Sequence, residues 1–203
     1  MNKLHRYILF NKPFGVLCQF TDVRGRTTLS SFGPFPAEVY PVGRLDLDSE
    51  GLVLLTNDGP LKHLLLEPRF QHPRSYMVQV EGVPTPAAIA LLRGGVPVTA
   101  RRTLPASVEL LSEDPDVPPR SVPIRFRKQI PARWLKVTLF EGRNRQIRKM
   151  TAAVGYPTLR LVRIGIGDLT LEGLNPGDHR DLSEGEIRAL KKHAGGVARD
   201  RKT

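Results

Sequence analysis

Short apolar runs alternate with polar punctuation along this chain, and most of the runs have the length and composition of strands. Tyr7 to Phe10, Val16 to Phe20, Val39 to Val42 and Leu52 to Thr56 are rich in β-branched and aromatic residues and are bounded by Gly, Pro and Asp. Asn11-Lys12-Pro13-Phe14-Gly15 reads as a compact turn between the first two. Leu52-Val53-Leu54-Leu55 has no polar interruption, the pattern of a strand covered on both faces. Leu61 to Leu66 then gives one or two helical turns after the Asn57-Asp58-Gly59-Pro60 punctuation.

Downstream, the spacing predicts strands at Tyr76 to Val80, Val108 to Leu111, Trp134 to Phe140, Leu159 to Ile164 and Leu169 to Leu171. A Pro-rich loop runs up to Pro119. Helices are predicted at Pro86 to Leu92, with Thr85 as cap and Pro86 in first position, and at Asn144 to Val154, with Asn144 as cap. A last helix covers Ser183 to Lys192, where Ser183 and Glu186 have capping-box spacing. There is no βαβα rhythm and no repeat, so the expected fold is α+β with a mixed, mostly antiparallel sheet. The expected organisation is one domain over residues 1–190 and a basic flexible tail over 191–203, fraying from Gly195.

Composition narrows the class. The chain has 203 residues, 40% of them hydrophobic, enough for one core or for two small lobes. No apolar run approaches the roughly 18 residues of a membrane span, and the N-terminal apolar stretch is too short for a signal peptide. A cytoplasmic, monomeric protein is expected. Cys18 is the only cysteine, which excludes an intrachain disulfide and a multi-thiolate zinc site; its apolar surroundings predict burial. Charge says more. Thirty-one Lys and Arg against 20 Asp and Glu leave +11, which favours a polyanionic partner. Charge does not separate DNA from RNA, or catalysis from passive binding.

Two segments carry candidate chemistry. Gly43-Arg44-Leu45-Asp46-Leu47-Asp48-Ser49-Glu50-Gly51 sets three acids at alternate positions in a basic chain. A calcium loop would put an acid where Asn57 stands and would be flanked by helices rather than strands. An Asp-x-Asp metal clamp and a solvated turn with a helix cap are the other readings. Because the loop feeds directly into a buried strand, it would hold a carboxylate rigidly. Arg44, two residues before Asp46, is suited to a phosphate or to the gap left by an extracted base. The second segment, Arg143 to Met150, enters a helix with Arg145, Arg148 and Lys149 on one face and Ile147, Met150, Thr151 and Val154 on the other. An ordinary surface helix has the same pattern.

Taken together, these segments resemble the bacterial RsuA-type family of pseudouridine synthases. Gly43-Arg44-Leu45-Asp46 with Ser49-Glu50-Gly51-Leu52 and Leu55-Thr56-Asn57-Asp58-Gly59 is similar to the family's catalytic motif. Arg143-Asn144-Arg145-Gln146-Ile147-Arg148-Lys149-Met150 is similar to its C-terminal signature, and Asn11-Lys12-Pro13 to its opening turn. The late pattern Leu161, Arg163, Ile164, Gly165, then Leu171, Leu174, Gly177, Arg180 and Leu182, follows it too. Tyr7 already begins the catalytic pattern, leaving no room for the RNA-binding module that many relatives carry first. Phe10 to Pro13, Gln19 to Asp22 and Gly167-Asp168 look most like a large-subunit branch that modifies one uridine of 23S rRNA near the peptidyl-transferase region.

The resemblance implies a pseudouridine synthase fold with two lobes flanking an active-site cleft, and a reaction without cofactor or metal. Its substrate would be 23S rRNA or a large-subunit assembly intermediate. It implies Asp46 as the essential carboxylate, Arg148 as its ionic partner, and Tyr76 and Ile147 against the base. Arg44 would occupy the vacancy left by the extracted uridine. Lys12, Arg143, Arg145, Lys149, Arg160 and Arg163 would position the RNA backbone. Where the family has Lys-x-Tyr, this chain has Arg74-Ser75-Tyr76, and no role is carried onto Arg74. Two rivals remain at this stage: a noncatalytic rRNA-binding or ribosome-assembly protein, and a metal-dependent nuclease using Asp46 and Asp48.

Overall fold

The computed structural model describes residues 4–124 and 130–199, with side chains through residue 194. In chain order the elements are β1 (Tyr7–Lys12), β2 (Tyr40–Pro41), β3 (Glu50–Thr56), α1 (Gly59–Leu66), β4 (Arg74–Glu81), α2 (Pro86–Gly94), β5 (Pro97–Val98) and β6 (Arg101–Arg102). There follow β7 (Ser107–Leu110), β8 (Ala132–Leu139), α3 (Gln146–Ala153), β9 (Thr158–Ile166), β10 (Leu169–Thr170), β11 (His179–Asp181) and α4 (Glu184–Arg199). The chain forms two compact units, one of residues 1–72 and 165–203, the other of 73–164.

In the first unit β1 lies between β11 and β3, antiparallel to both, with Tyr7 opposite Thr56 and Lys12 opposite Gly51. Every residue of β1 and β3 is buried, as the unbroken apolar pattern of β3 predicts. The period of two divides the strands between two cores. Tyr7, Leu9, Leu52 and Leu54 pack with Leu61 and Leu65 of α1 and Leu190 of α4. Ile8, Phe10, Val53 and Leu55 pack with Val16, Cys18, Leu29, Val39 and Leu45 from the irregular segment between β1 and β3. Each buried Leu contributes about 2 kcal/mol through area removed from water.

Val16 to Phe20 is not a strand, contrary to the sequence pattern. Leu17 makes a single isolated bridge to Thr28, and the Gln19 N–H turns back to the Leu17 carbonyl, so the segment coils. Its apolar side chains are nonetheless inside, and Cys18 is buried as expected. Three short strands without a clear pattern, β5, β6 and β11, were not predicted.

In the second unit β8 lies between β4 and β7, again antiparallel; the β4–β8 ladder runs from Arg74 opposite Leu139 to Glu81 opposite Ala132. Val78, Val80, Leu135 and Val137 form the core with Ile89 and Leu92 of α2 and Met150 of α3. Thr85 caps α2 through the Ala88 N–H, as its position predicts. The architecture is α+β.

α4 keeps the predicted capping box: Ser183 N–H donates to Glu186 at 2.8 Å, and Glu186 N–H to the Ser183 hydroxyl at 3.3 Å. Its far end differs from the pattern. The helix continues past Lys192 and through Gly195 and Gly196 to Arg199. Ala194, fully buried in the core that α4 covers, carries the helix beyond the predicted stop. Residues 200–203 of the predicted tail lie outside the described residues.

Candidate active site

The acidic loop is held at several points. Gly43 has φ +72°, and a Cβ there would come within 3.2 Å of the Leu66 side chain, so the turn needs glycine. Leu45 is buried in the apolar cluster beneath the loop. The Gly15 N–H donates to the Leu47 carbonyl at 2.9 Å, tying the loop to the turn after β1. Ser49 N–H closes the loop onto the Asp46 carbonyl at 3.1 Å. The acids cap no helix, because β3 follows directly. Asp46 and Asp48 are half-buried, Glu50 is buried and Arg44 is exposed.

Beneath these acids lies Lys12, with no exposed surface. Its Nζ donates to the carbonyls of Pro13 at 2.9 Å and Val16 at 2.7 Å. Burial lowers its pKa to about 8, against the opposing pull of Cys18, Glu50, Asp48 and Asp46. Lys12 therefore supports the loop from inside and is not presented to an RNA backbone, contrary to expectation.

In the second unit Tyr76 is buried on β4 opposite Val137, and Ile147 on α3 belongs to the same apolar cluster. Arg148 is half-buried, and its guanidinium donates to the Thr158 carbonyl at 3.3 Å. Arg74 is half-buried beside Tyr76; burial lowers its pKa, Tyr76 opposes and Arg163 adds to the lowering.

The start of α3 departs from the pattern. Asn144 is not the cap. Arg145 occupies that position in left-handed backbone, φ +52°, with no side-chain capping bond. A clasp does the organising instead. Gln146 Nε2 donates to Glu141 Oε1 at 2.7 Å, Arg143 Nε donates to Glu141 Oε2 at 2.9 Å, and Arg143 N–H donates to Gln146 Oε1 at 3.0 Å. Glu141 also receives the Leu104 N–H. Glu141 and Gln146 were missed as site-building residues, although Gln146 stands in the motif and Glu141 two residues before it.

The cations expected on RNA thus divide three ways. Arg44 and Arg145 are exposed. Lys149 is half-buried, and so is Arg143, whose guanidinium also bonds the carbonyls of Arg101 and Arg102. Lys12, Arg160 and Arg163 are buried, and Arg160 donates to the Pro118 carbonyl at 2.8 Å. Arg160 and Arg163, like Lys12, are internal cations rather than backbone contacts. Among the described residues, no group of three or more His, Cys, Asp or Glu is arranged to hold a metal ion. No described helix is long and apolar enough to cross a membrane.

A crystal structure of a pseudouridylate synthase matches this fold with a TM-score of 0.77 at 29% identity, covering 92% of this chain and 74% of that one. The fold is that of a pseudouridine synthase, an isomerase acting on RNA. The chain belongs to the RNA pseudouridylate synthase family, whose model matches residues 6–153 and so takes in the acidic loop and α3. It is 52% identical over 178 residues to ribosomal large subunit pseudouridine synthase E of Vibrio vulnificus, covering 88% of this chain and 75% of that protein. Its identity to the protein of the same name from Xanthomonas axonopodis pv. citri is 52% over 171 residues, covering 83% of this chain and 90% of that one. Family membership removes the noncatalytic and nuclease readings.

Proposed function

We propose that this enzyme isomerises one uridine of large-subunit rRNA, in the peptidyl-transferase region of 23S rRNA, with Asp46 as its essential carboxylate. The observation that carries this reading is the setting of Asp46. It is partly exposed on a loop pinned by Gly43, Leu45 and the Gly15–Leu47 hydrogen bond, with buried Lys12 beneath. The likeness to the large-subunit synthases and the +11 charge support the choice of substrate. The enzyme acts as a monomer in the cytoplasm, on naked rRNA or on an assembly intermediate.

In the reaction the N1–C1′ bond breaks, the uracil turns, C5 bonds to C1′, and the proton lost from C5 is balanced by one taken up at N1. Asp46 acts at the sugar, as nucleophile at C1′ or as base toward a ribose proton. Deuterium at ribose C2′ slows the second route and leaves the first nearly unchanged. Arg148, Tyr76 and Ile147 take the roles that the resemblance assigns them, and Arg44 replaces the extruded base. Exposed Arg145 and half-buried Lys149 position the RNA backbone, with Arg143 held beside them by Glu141.

The test is pseudouridine mapping on transcribed 23S rRNA. The wild type should modify one uridine, and Asp46→Asn should modify none while melting at the wild-type temperature. Undiminished modification by Asp46→Asn overturns the assignment.

A further inference from the structure

The first unit holds a cavity of about 800 Å³ beside the catalytic loop. Phe20, Phe35 and Tyr40 supply aromatic walls, and Arg44 and Lys62 supply cations. The volume falls in the range of small-molecule sites, roughly 300–1,000 Å³. Its walls are preformed. Phe35 is wedged edge-on against Phe10 and Phe20, with centroids 6.0 and 5.7 Å away, and meets His179 at 4.7 Å. Tyr40 behaves differently: it is 56% exposed although β2 fixes its backbone against β3. The Lys62 ammonium stands 5.8 Å from the centre of the Tyr40 ring. An exposed ring beside a cation, near a second cation, matches the two faces of a nucleotide: a base that stacks and a phosphate that carries charge.

We infer that this cavity is a subsite for an unstacked nucleotide of the RNA strand next to the target uridine, its base against Tyr40 and its phosphate at Lys62, with Arg44 at the edge toward the target. The inference rests on the proposed RNA substrate. Extruding a uridine costs stacking on both sides, and a neighbour captured here offsets part of that cost. Arg44 connects the two events, since it lines the cavity and stands two residues from Asp46. A peptide segment is the other occupant that apolar walls would accept, but the cations and the basic chain favour RNA.

The test compares the wild type with Tyr40→Ala and with Ala37→Trp, which fills the cavity from an exposed position. Fluorescein-labelled nonamers of adenylate and of uridylate report binding by anisotropy. Transcribed 23S rRNA reports kcat and KM separately, and thermal melting checks folding. Both variants should weaken nonamer binding, and raise KM, by about five-fold or more, the loss expected for one stacked base. The change should fall on KM far more than on kcat. Unchanged binding and KM in two folded variants overturn the subsite, whatever the activity of the wild type. If the wild type modifies no rRNA but binds nonamers in a Tyr40- and Ala37-dependent way, the subsite stands and the rRNA reading fails. Wild-type affinity for an acidic or apolar peptide that exceeds its affinity for both nonamers also overturns it.

Discussion

The ammonium of Lys12 donates to the Val16 carbonyl at 2.7 Å, so a buried charge fastens the turn to which the acidic loop of Asp46 is tied. Its pKa is lowered to about 8, while the unfolded chain keeps a value near 10.5. Between those values the unfolded chain binds more protons, so this group's contribution to stability rises with pH. Below about pH 8 both states are protonated and the full cost of burying the charge is present. In urea titrations, the wild type should therefore gain on Lys12→Met as pH rises from 8 to 10. A constant difference, or one that moves the other way, rules out the depressed lysine.

Asp58 joins two elements of the same unit. One carboxylate oxygen accepts the Leu61 N–H at 3.0 Å and caps α1; the other accepts the Tyr7 hydroxyl at 2.6 Å. Burial pushes its pKa up, and the bonds from Tyr7 and Leu61, together with nearby His5 and Lys191, more than offset this, leaving it below the ordinary value. Asp58→Ala should cost about 1–3 kcal/mol, from a lost cap and an orphaned hydroxyl. Tyr7→Phe should cost less, because the cap survives. Chemical denaturation of both variants checks the order.

Glu186 accepts from Arg180 at 2.7 and 2.9 Å and from Ser183, and its pKa is lowered to about 2, chiefly by Arg180. The carboxylate's contribution is complete above its unfolded value near 4.5 and is lost as pH falls toward 2. The pair is partly exposed, so screening keeps the effect to about 1 kcal/mol. The melting temperature of Glu186→Gln should lie below the wild type at pH 6 and approach it near pH 2.5. A gap that persists at low pH would mean that the charge is not the cause.

Much of this architecture was legible in the residues. Both strands of the first unit's core, the caps at Thr85 and Ser183, and burial of Cys18 follow from local pattern. Val16 to Phe20 misled because alternating burial looks the same in a strand and in a coil, where the Gln19 N–H turns back to Leu17 and the Leu17 N–H goes to Thr27 without a continuing ladder. The internal cations misled for a related reason. Charge predicts solvent unless carbonyls from nearby turns converge on it, and Lys12 and Arg160 both have such carbonyls. The start of α3 was misplaced because Asn144 is a good cap in isolation, whereas Glu141, Arg143 and Gln146 bond one another first. The motif singled out Asp46 as the candidate carboxylate, and the buried Lys12 beneath its loop emerged only from the fold.

Two neighbouring glycines at the end of α2 should respond in opposite directions. Gly94 lies in the last turn of the helix, and a Cβ there would meet nothing within 4 Å. Gly94→Ala should stabilise by about 0.5–1 kcal/mol, since alanine loses less backbone entropy in a helix. Gly95 is the C-cap, with φ +86°, and a Cβ there would lie 2.4 Å from the Thr103 carbonyl oxygen. That oxygen is backbone and cannot swing aside as a side chain would. The Thr103 N–H is also bonded to the Val96 carbonyl, and its hydroxyl accepts the Val96 N–H at 3.0 Å, so retreat would break both bonds. Gly95→Ala should therefore cost at least about 2 kcal/mol, combining left-handed strain with the clash. Denaturant midpoints of the two variants provide the measurement, and equal shifts in the same direction would remove the basis for both predictions.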